Sequence, residues 1–135
     1  MINAKNFITG MTGVFYTAAE LSSRGFIVTI TARNAPTVDL LVSKPDMKKT
    51  ISIQVKTNAS NGTHSFWLTG KNSMNLKAPN FFYILVNLKS DDKPDFYIVP
   101  SRDLVKNIDY SKTKSGEWYS FQRNEKFRGR WDLLD

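Results

Sequence analysis

The sequence predicts a single α/β domain, a mixed central β-sheet flanked by helices. Three observations carry this. A helical repeat of apolar residues opens the chain, short β-branched runs bounded by turn residues follow it, and the run Phe81 to Leu88 is apolar almost throughout. A chain of 135 residues is the right size for one core.

Phe7, Met11, Val14, Phe15, Ala18 and Leu21 recur at helical spacing, predicting a helix over about 6–24 with Gly25 as its stop. Residues 26–31 are β-branched and predict a first strand, and 34–36 a turn. Residues 38–42 predict a second strand, closed by 43–46, and the clean alternation of 50–56 a third. The polar stretch 58–63 reads as a loop, 64–69 as a short strand, and 70–79 as a short irregular helix. Phe81 to Leu88 predicts a central strand buried on both faces, because its pattern lacks polar alternation. A turn at 90–94 precedes a strand at 96–99. A short helix follows, with Ser101 expected as its N-cap and Asp103 in its first turn. The core spans about 7–107, and 108–135 reads as a basic, aromatic extension of the same domain.

Nineteen Lys and Arg against twelve Asp and Glu leave a net charge of +7. Such an excess in a small domain favours a polyanionic partner, most simply nucleic acid. The absence of cysteine excludes a disulfide framework, a thiolate zinc site and a cysteine nucleophile. A single histidine, His64, excludes a metal site built on two or three histidines. No apolar run approaches the ~20 residues of a membrane span, and the N-terminus has no apolar leader. A cytoplasmic protein with no membrane association is therefore expected.

The third strand carries the candidate chemistry. Alternation puts Ser52, Gln54 and Lys56 on one face and Ile51, Ile53 and Val55 on the other. Gln54 and Lys56 are then roughly 6.6 Å apart along the strand. The preceding strand contributes Asp39, on the face opposite Val38, Leu40 and Val42. If the two strands pair, an Asp, an amide oxygen and a Lys converge on one point. A hard divalent cation takes oxygen ligands. Asp39 offers a charged one, Gln54 a neutral one, and the Val55 carbonyl a third. Such a cation stabilises charge on a phosphate and lowers the pKa of a bound water. Lys56 would orient that water or stabilise the developing charge.

Pro36-x-x-Asp39 followed by Gln54-Val55-Lys56 resembles the signature of the PD-(D/E)XK nuclease family. The order of elements over residues 7–100 resembles the core shared by restriction endonucleases and archaeal Holliday-junction resolvases. The resemblance implies a restriction-endonuclease-like core and a metal-dependent endonuclease or resolvase-like phosphodiesterase acting on DNA. It implies Mg²⁺ or Mn²⁺ as cofactor, with Asp39, Gln54 and Val55 as metal ligands and Asp39, Gln54 and Lys56 as catalytic residues. Glu20, on the first helix, is implied as a further catalytic and metal-binding residue. Two departures stand out. Pro36 and Asp39 are not adjacent, and Gln54 stands where the family usually has Asp or Glu, which removes one negative charge from the site.

Arg33, Lys71, Arg123, Arg128 and Arg130 are the candidate nucleic-acid-binding cations. The last three are interleaved with Trp118, Tyr119, Phe121, Phe127 and Trp131. Cations among aromatics can grip a sugar-phosphate chain and stack on bases. The other reading, favoured for the tryptophans, is that the aromatics pack on the sheet while the arginines stay solvated. A homodimer suits a domain of this size that cuts a duplex. Two alternatives stand beside the enzyme: a catalytically silent nuclease fold that binds nucleic acid or a protein partner, and an immunity or inhibitor protein. The last would be expected to show an acidic surface, and this chain is basic.

Overall fold

A computed structural model describes residues 4–32, 35–59 and 64–135. The apolar repeat forms α1 (Ala4–Ser23), which buries Val14, Thr17 and Leu21. Gly25 ends it at φ 92°, a conformation open to glycine. The Phe26 amide then closes back on the Leu21 carbonyl at 3.1 Å, satisfying an orphan of the last turn. The β-branched runs follow as β1 (Ile27–Ile30), β2 (Leu40–Ser43) and β3 (Thr50–Asn58). β4 (Phe66–Leu68) leads into a 3-10 turn (Lys71–Asn75), then β5 (Phe81–Asn87), β6 (Asp95–Pro100) and α2 (Ser101–Lys106). The last segment forms the hairpin β7 (Ile108–Thr113) and β8 (Gly116–Gln122) and two 3-10 turns (Glu125–Phe127 and Trp131–Leu134). Among the described residues, no helix is long and apolar enough to cross a membrane.

The main sheet has the order β1-β2-β3-β5-β6, with β3 and β5 parallel and the other pairs antiparallel. This is the mixed sheet the sequence predicts. β5 is buried at every residue because both faces of the sheet are covered there. Ile84 and Val86 face α1 with Leu21, Leu40, Ile53 and Ile98. Tyr83 and Leu85 face the other way, with Trp67, Tyr97, Leu104 and Phe121. A second antiparallel sheet, of order β4-β8-β7, supplies much of that second layer.

α1 lies close on β3. A Cβ at Gly13 would run into the Thr57 side chain, so this position admits no larger residue without displacement.

Two expectations are corrected. Ser101 is not an N-cap: Pro100 occupies that position, and Ser101 lies inside α2. The buried Ser101 hydroxyl instead joins α2 to the segment before β5. It donates to the Ala78 carbonyl at 3.1 Å and accepts the Ala78 amide at 3.0 Å. Residues 108–135 are also no extension. Phe121 and Phe127 complete one core, and Trp131 and Leu134 complete the other.

Candidate active site

The site follows from where two paired strands stop. β2 begins at Leu40, paired with Ile53, while β3 runs on to Asn58. From Val55 onward the β2 side of β3 has no strand partner among the described residues. The Val55 amide would be orphaned there. The Asp39 carboxylate takes it: the amide donates to Oδ2 at 2.7 Å.

Asp39 precedes β2 and is held by its own backbone. Its amide donates to the Ile53 carbonyl at 2.8 Å, and its carbonyl accepts the Thr31 amide at 3.0 Å. The Thr31 hydroxyl donates to the Val38 carbonyl at 2.6 Å. Upstream, the Val38 amide donates to the Pro36 carbonyl at 2.8 Å around Thr37, whose φ of 74° is rare for a β-branched residue. This tight turn brings the chain into β2 with the Asp39 side chain against β3.

Leu40 faces Ile53 and Leu41 faces Ser52, so the register continued by one residue sets Asp39 opposite Gln54. Side chains alternate, which gives Asp39, Gln54 and Lys56 one face, opposite the buried Leu40, Ile53 and Val55. Within a strand, the N–H and C=O of one residue point to the same side. The Val55 carbonyl is therefore directed, like its amide, to the side where β2 has ended. Gln54 and Lys56 are half-buried. The second layer packs on β5 and β6 and leaves Leu41 and Ile27 exposed on the backs of β2 and β1.

Burial pushes the Asp39 carboxyl above its ordinary pKa, although the Val55 amide and the Lys56 charge pull it down. Burial likewise pushes Lys56 below its ordinary value, against the pull of Asp39. The two charges are near enough to act on each other, and both are partly desolvated.

On the helix side, Asp39 and Val55 border a cleft of about 350 Å³ whose far wall is the N-terminal half of α1: Asn6, Phe7, Gly10 and Met11. Asn6 is the helix's polar contribution there, and the sequence reading did not single it out. Its signal was positional: it precedes Gly10 by one helical turn, on the same stripe as Phe7 and Val14.

Glu20 is not brought to this cleft. It lies ten residues along α1 from Gly10, about 15 Å. It pairs with Arg24 at 3.2 Å and borders a separate cavity with Lys93 and Phe96. The expectation that it joins Asp39 is corrected for that reason.

Among the described residues, no group of three or more His, Cys, Asp or Glu converges. Asp39 supplies one carboxylate, with the Gln54 amide oxygen and the Val55 carbonyl as neutral donors beside it. That set suits a cation that keeps several waters and takes phosphate oxygens, as Mg²⁺ does, better than one needing a full protein cage.

The candidate cations divide. Arg128 is engaged by Asp95 at 2.7 Å and Glu125 at 3.5 Å, Arg123 by Glu125 at 3.6 Å, and Arg130 by both oxygens of Asp132 at 2.9 Å. Lys71 is exposed at the start of its 3-10 turn. Arg33 lies outside the described residues, as does most of the polar loop after β3. Packing is the outcome for Trp67 and Trp131, which are buried, whereas Trp118 is exposed.

No family profile and no curated protein matches the sequence. Among solved structures, the chain is similar to that of the bacterial homing endonuclease I-Ssp6803I. The TM-score is 0.58 at 13% identity, over 93% of this chain and 88% of that one. The two chains share a fold along nearly their whole lengths.

Proposed function

We propose that this protein is a metal-dependent endonuclease acting on DNA, with its site at Asp39, Gln54 and Lys56. The observation that carries the proposal is the Asp39 carboxylate seated against β3 at Val55, opposite Gln54 and in electrostatic contact with Lys56. The net charge of +7 suits a polyanionic substrate, and the fold is shared with a homing endonuclease.

In this reading Asp39, Gln54 and the Val55 carbonyl hold Mg²⁺ or Mn²⁺. The bound ion supplies Lewis acidity toward a phosphodiester and a water of lowered pKa. Asp39 provides the fixed negative charge, and the Val55 amide holds one of its oxygens in place. Gln54 presents a neutral oxygen from the facing strand. Lys56 donates a hydrogen bond to the attacking water or to the phosphate oxygen on which charge builds. Asn6 borders the helix-side cleft with Asp39 and Val55, on the face of β3 away from Gln54 and Lys56. The PD-(D/E)XK signature remains the family reading that these residues support.

One observation favours a second reading, a catalytically silent fold that binds nucleic acid. With Gln54 neutral and Glu20 elsewhere, Asp39 is the carboxylate left to the site. Incubation of supercoiled and branched DNA with Mg²⁺ or Mn²⁺ separates the two. Cutting by the wild type that is lost in Asp39→Ala and Lys56→Ala supports the enzyme. Salt-sensitive binding without cutting in either metal supports the silent fold.

A further inference from the structure

The face of β3 that carries Gln54 and Lys56 continues backward to Ser52, one step of the alternation and roughly 6.6 Å from Gln54. That step is close to the separation of neighbouring phosphates along a nucleic-acid strand. Ser52 borders a recess of about 230 Å³. Thr37 and Val38 wall it on one side, from the turn that delivers Asp39. Asn75, Lys77 and Phe81 wall it on the other, from the segment that leads into β5.

The segment carrying Lys77 is held at two points. The Ser52 amide donates to the Asn80 carbonyl at 2.9 Å, which ties the segment to β3. The buried Ser101 hydroxyl clasps the Ala78 amide and carbonyl, which ties it to α2. The backbone at Lys77 is thus fixed between them, and only the side chain remains to be ordered when a ligand arrives.

The charge at the recess is unopposed. The stretches that line it, residues 36–38, 50–58 and 70–81, contain Lys56, Lys71 and Lys77 and no carboxylate. Among the described residues, Lys77 forms no ion pair. The acidic residue that adjoins these stretches is Asp39, the proposed metal ligand. A phosphate group accepts hydrogen bonds, and the recess offers donors: the Lys77 ammonium, the Thr37 and Ser52 hydroxyls and the Asn75 amide.

We infer that this recess holds the phosphate next to the one bound at Asp39 and Gln54, with Lys77 as its counter-charge and Ser52 and Asn75 as hydrogen-bond donors. The substrate strand then runs along β3, from the recess to Lys56. The inference rests on the nuclease reading of the Asp39 site and names Lys77 as a substrate-binding residue of it.

The test measures DNA affinity in EDTA, where binding is read without cutting. A labelled duplex is titrated by anisotropy over a range of salt concentrations. Lys77→Ala should bind several-fold more weakly and lose about one from the slope of log affinity on log salt, the share of one phosphate contact. Lys77→Arg should keep the slope. Asn75→Asp, which sets a carboxylate on the exposed rim of the recess, should also weaken binding. Lys93→Ala removes an exposed lysine at the cavity beside Glu20 and should leave affinity and slope at wild-type values. In Mg²⁺, saturating DNA should recover cutting by Lys77→Ala and should not recover it in Lys56→Ala. Unchanged affinity and slope in Lys77→Ala overturns the inference. So does an equal loss in Lys93→Ala, since overall charge rather than a site would then be what binds. If Lys77→Ala shows the expected loss while the wild type cuts with neither metal, the nuclease reading falls and the recess stands as a phosphate contact.

Discussion

The Asp39 carboxylate accepts the Val55 amide at 2.7 Å, just beyond the point where β2 stops pairing with β3. The same oxygen that repairs an interrupted strand edge thus belongs to the proposed metal ligand. Its burial raises its pKa.

A consequence concerns stability. A carboxyl with a raised folded-state pKa binds its proton more tightly when folded, so stability falls as pH rises from 3.8 through the folded value. The attraction of Lys56 is already part of that net shift. Asp39→Asn keeps an acceptor for the Val55 amide without the charge. Its melting temperature should match the wild type below pH 3.8 and exceed it at neutral pH, measured by thermal denaturation across pH. Cleavage should be lost. This is the trade of stability for function common at active sites.

Gln54→Glu restores a second carboxylate opposite Asp39. Mn²⁺ affinity by calorimetry should rise, on the order of tenfold, because ligand charge count tunes such sites. Without metal the variant should melt below the wild type, since two half-buried carboxylates repel.

The contact of α1 with β3 gives a paired prediction. Gly13→Ala forces a Cβ onto Thr57 and should destabilise by about 1–3 kcal/mol. Gly10→Ala meets nothing within 4 Å and should stabilise by about 0.5–1 kcal/mol through helix propensity. Urea denaturation of the two variants measures both.

Arg128 and Arg130 already hold carboxylates. Arg128→Ala should lower stability slightly, within the few tenths to 1 kcal/mol of an exposed pair. It should leave the salt dependence of DNA binding unchanged, because no phosphate contact is removed. Lys71→Ala should reduce that slope.

Much of this was legible because it is local. Alternation in β3 names Gln54 and Lys56 as neighbours on one face, and pairing of β2 with β3 brings Asp39 to them. Glu20 could not be judged that way. Helical spacing gives its stripe, but which end of α1 meets the cleft depends on where β2 begins. That end is the one carrying Asn6. The aromatic C-terminus was equally opaque. Trp131 packs on Phe96 at 5.2 Å and Trp118 does not reach the core, although both sit among the same basic neighbours. Long-range pairing decides between them, including the bridge of Tyr97 with Arg128 that carries the chain back across β6.

The most direct test of the central claim is cleavage of supercoiled DNA in Mg²⁺ or Mn²⁺ by the wild type and by Asp39→Asn, at protein concentrations giving equal DNA occupancy. The account predicts nicked or linear product from the wild type with either metal, none in EDTA, and at least a hundredfold slower cutting by Asp39→Asn, about 2.7 kcal/mol of lost barrier reduction. Equal cutting rates in the two proteins, or none by the wild type at full occupancy, would contradict it.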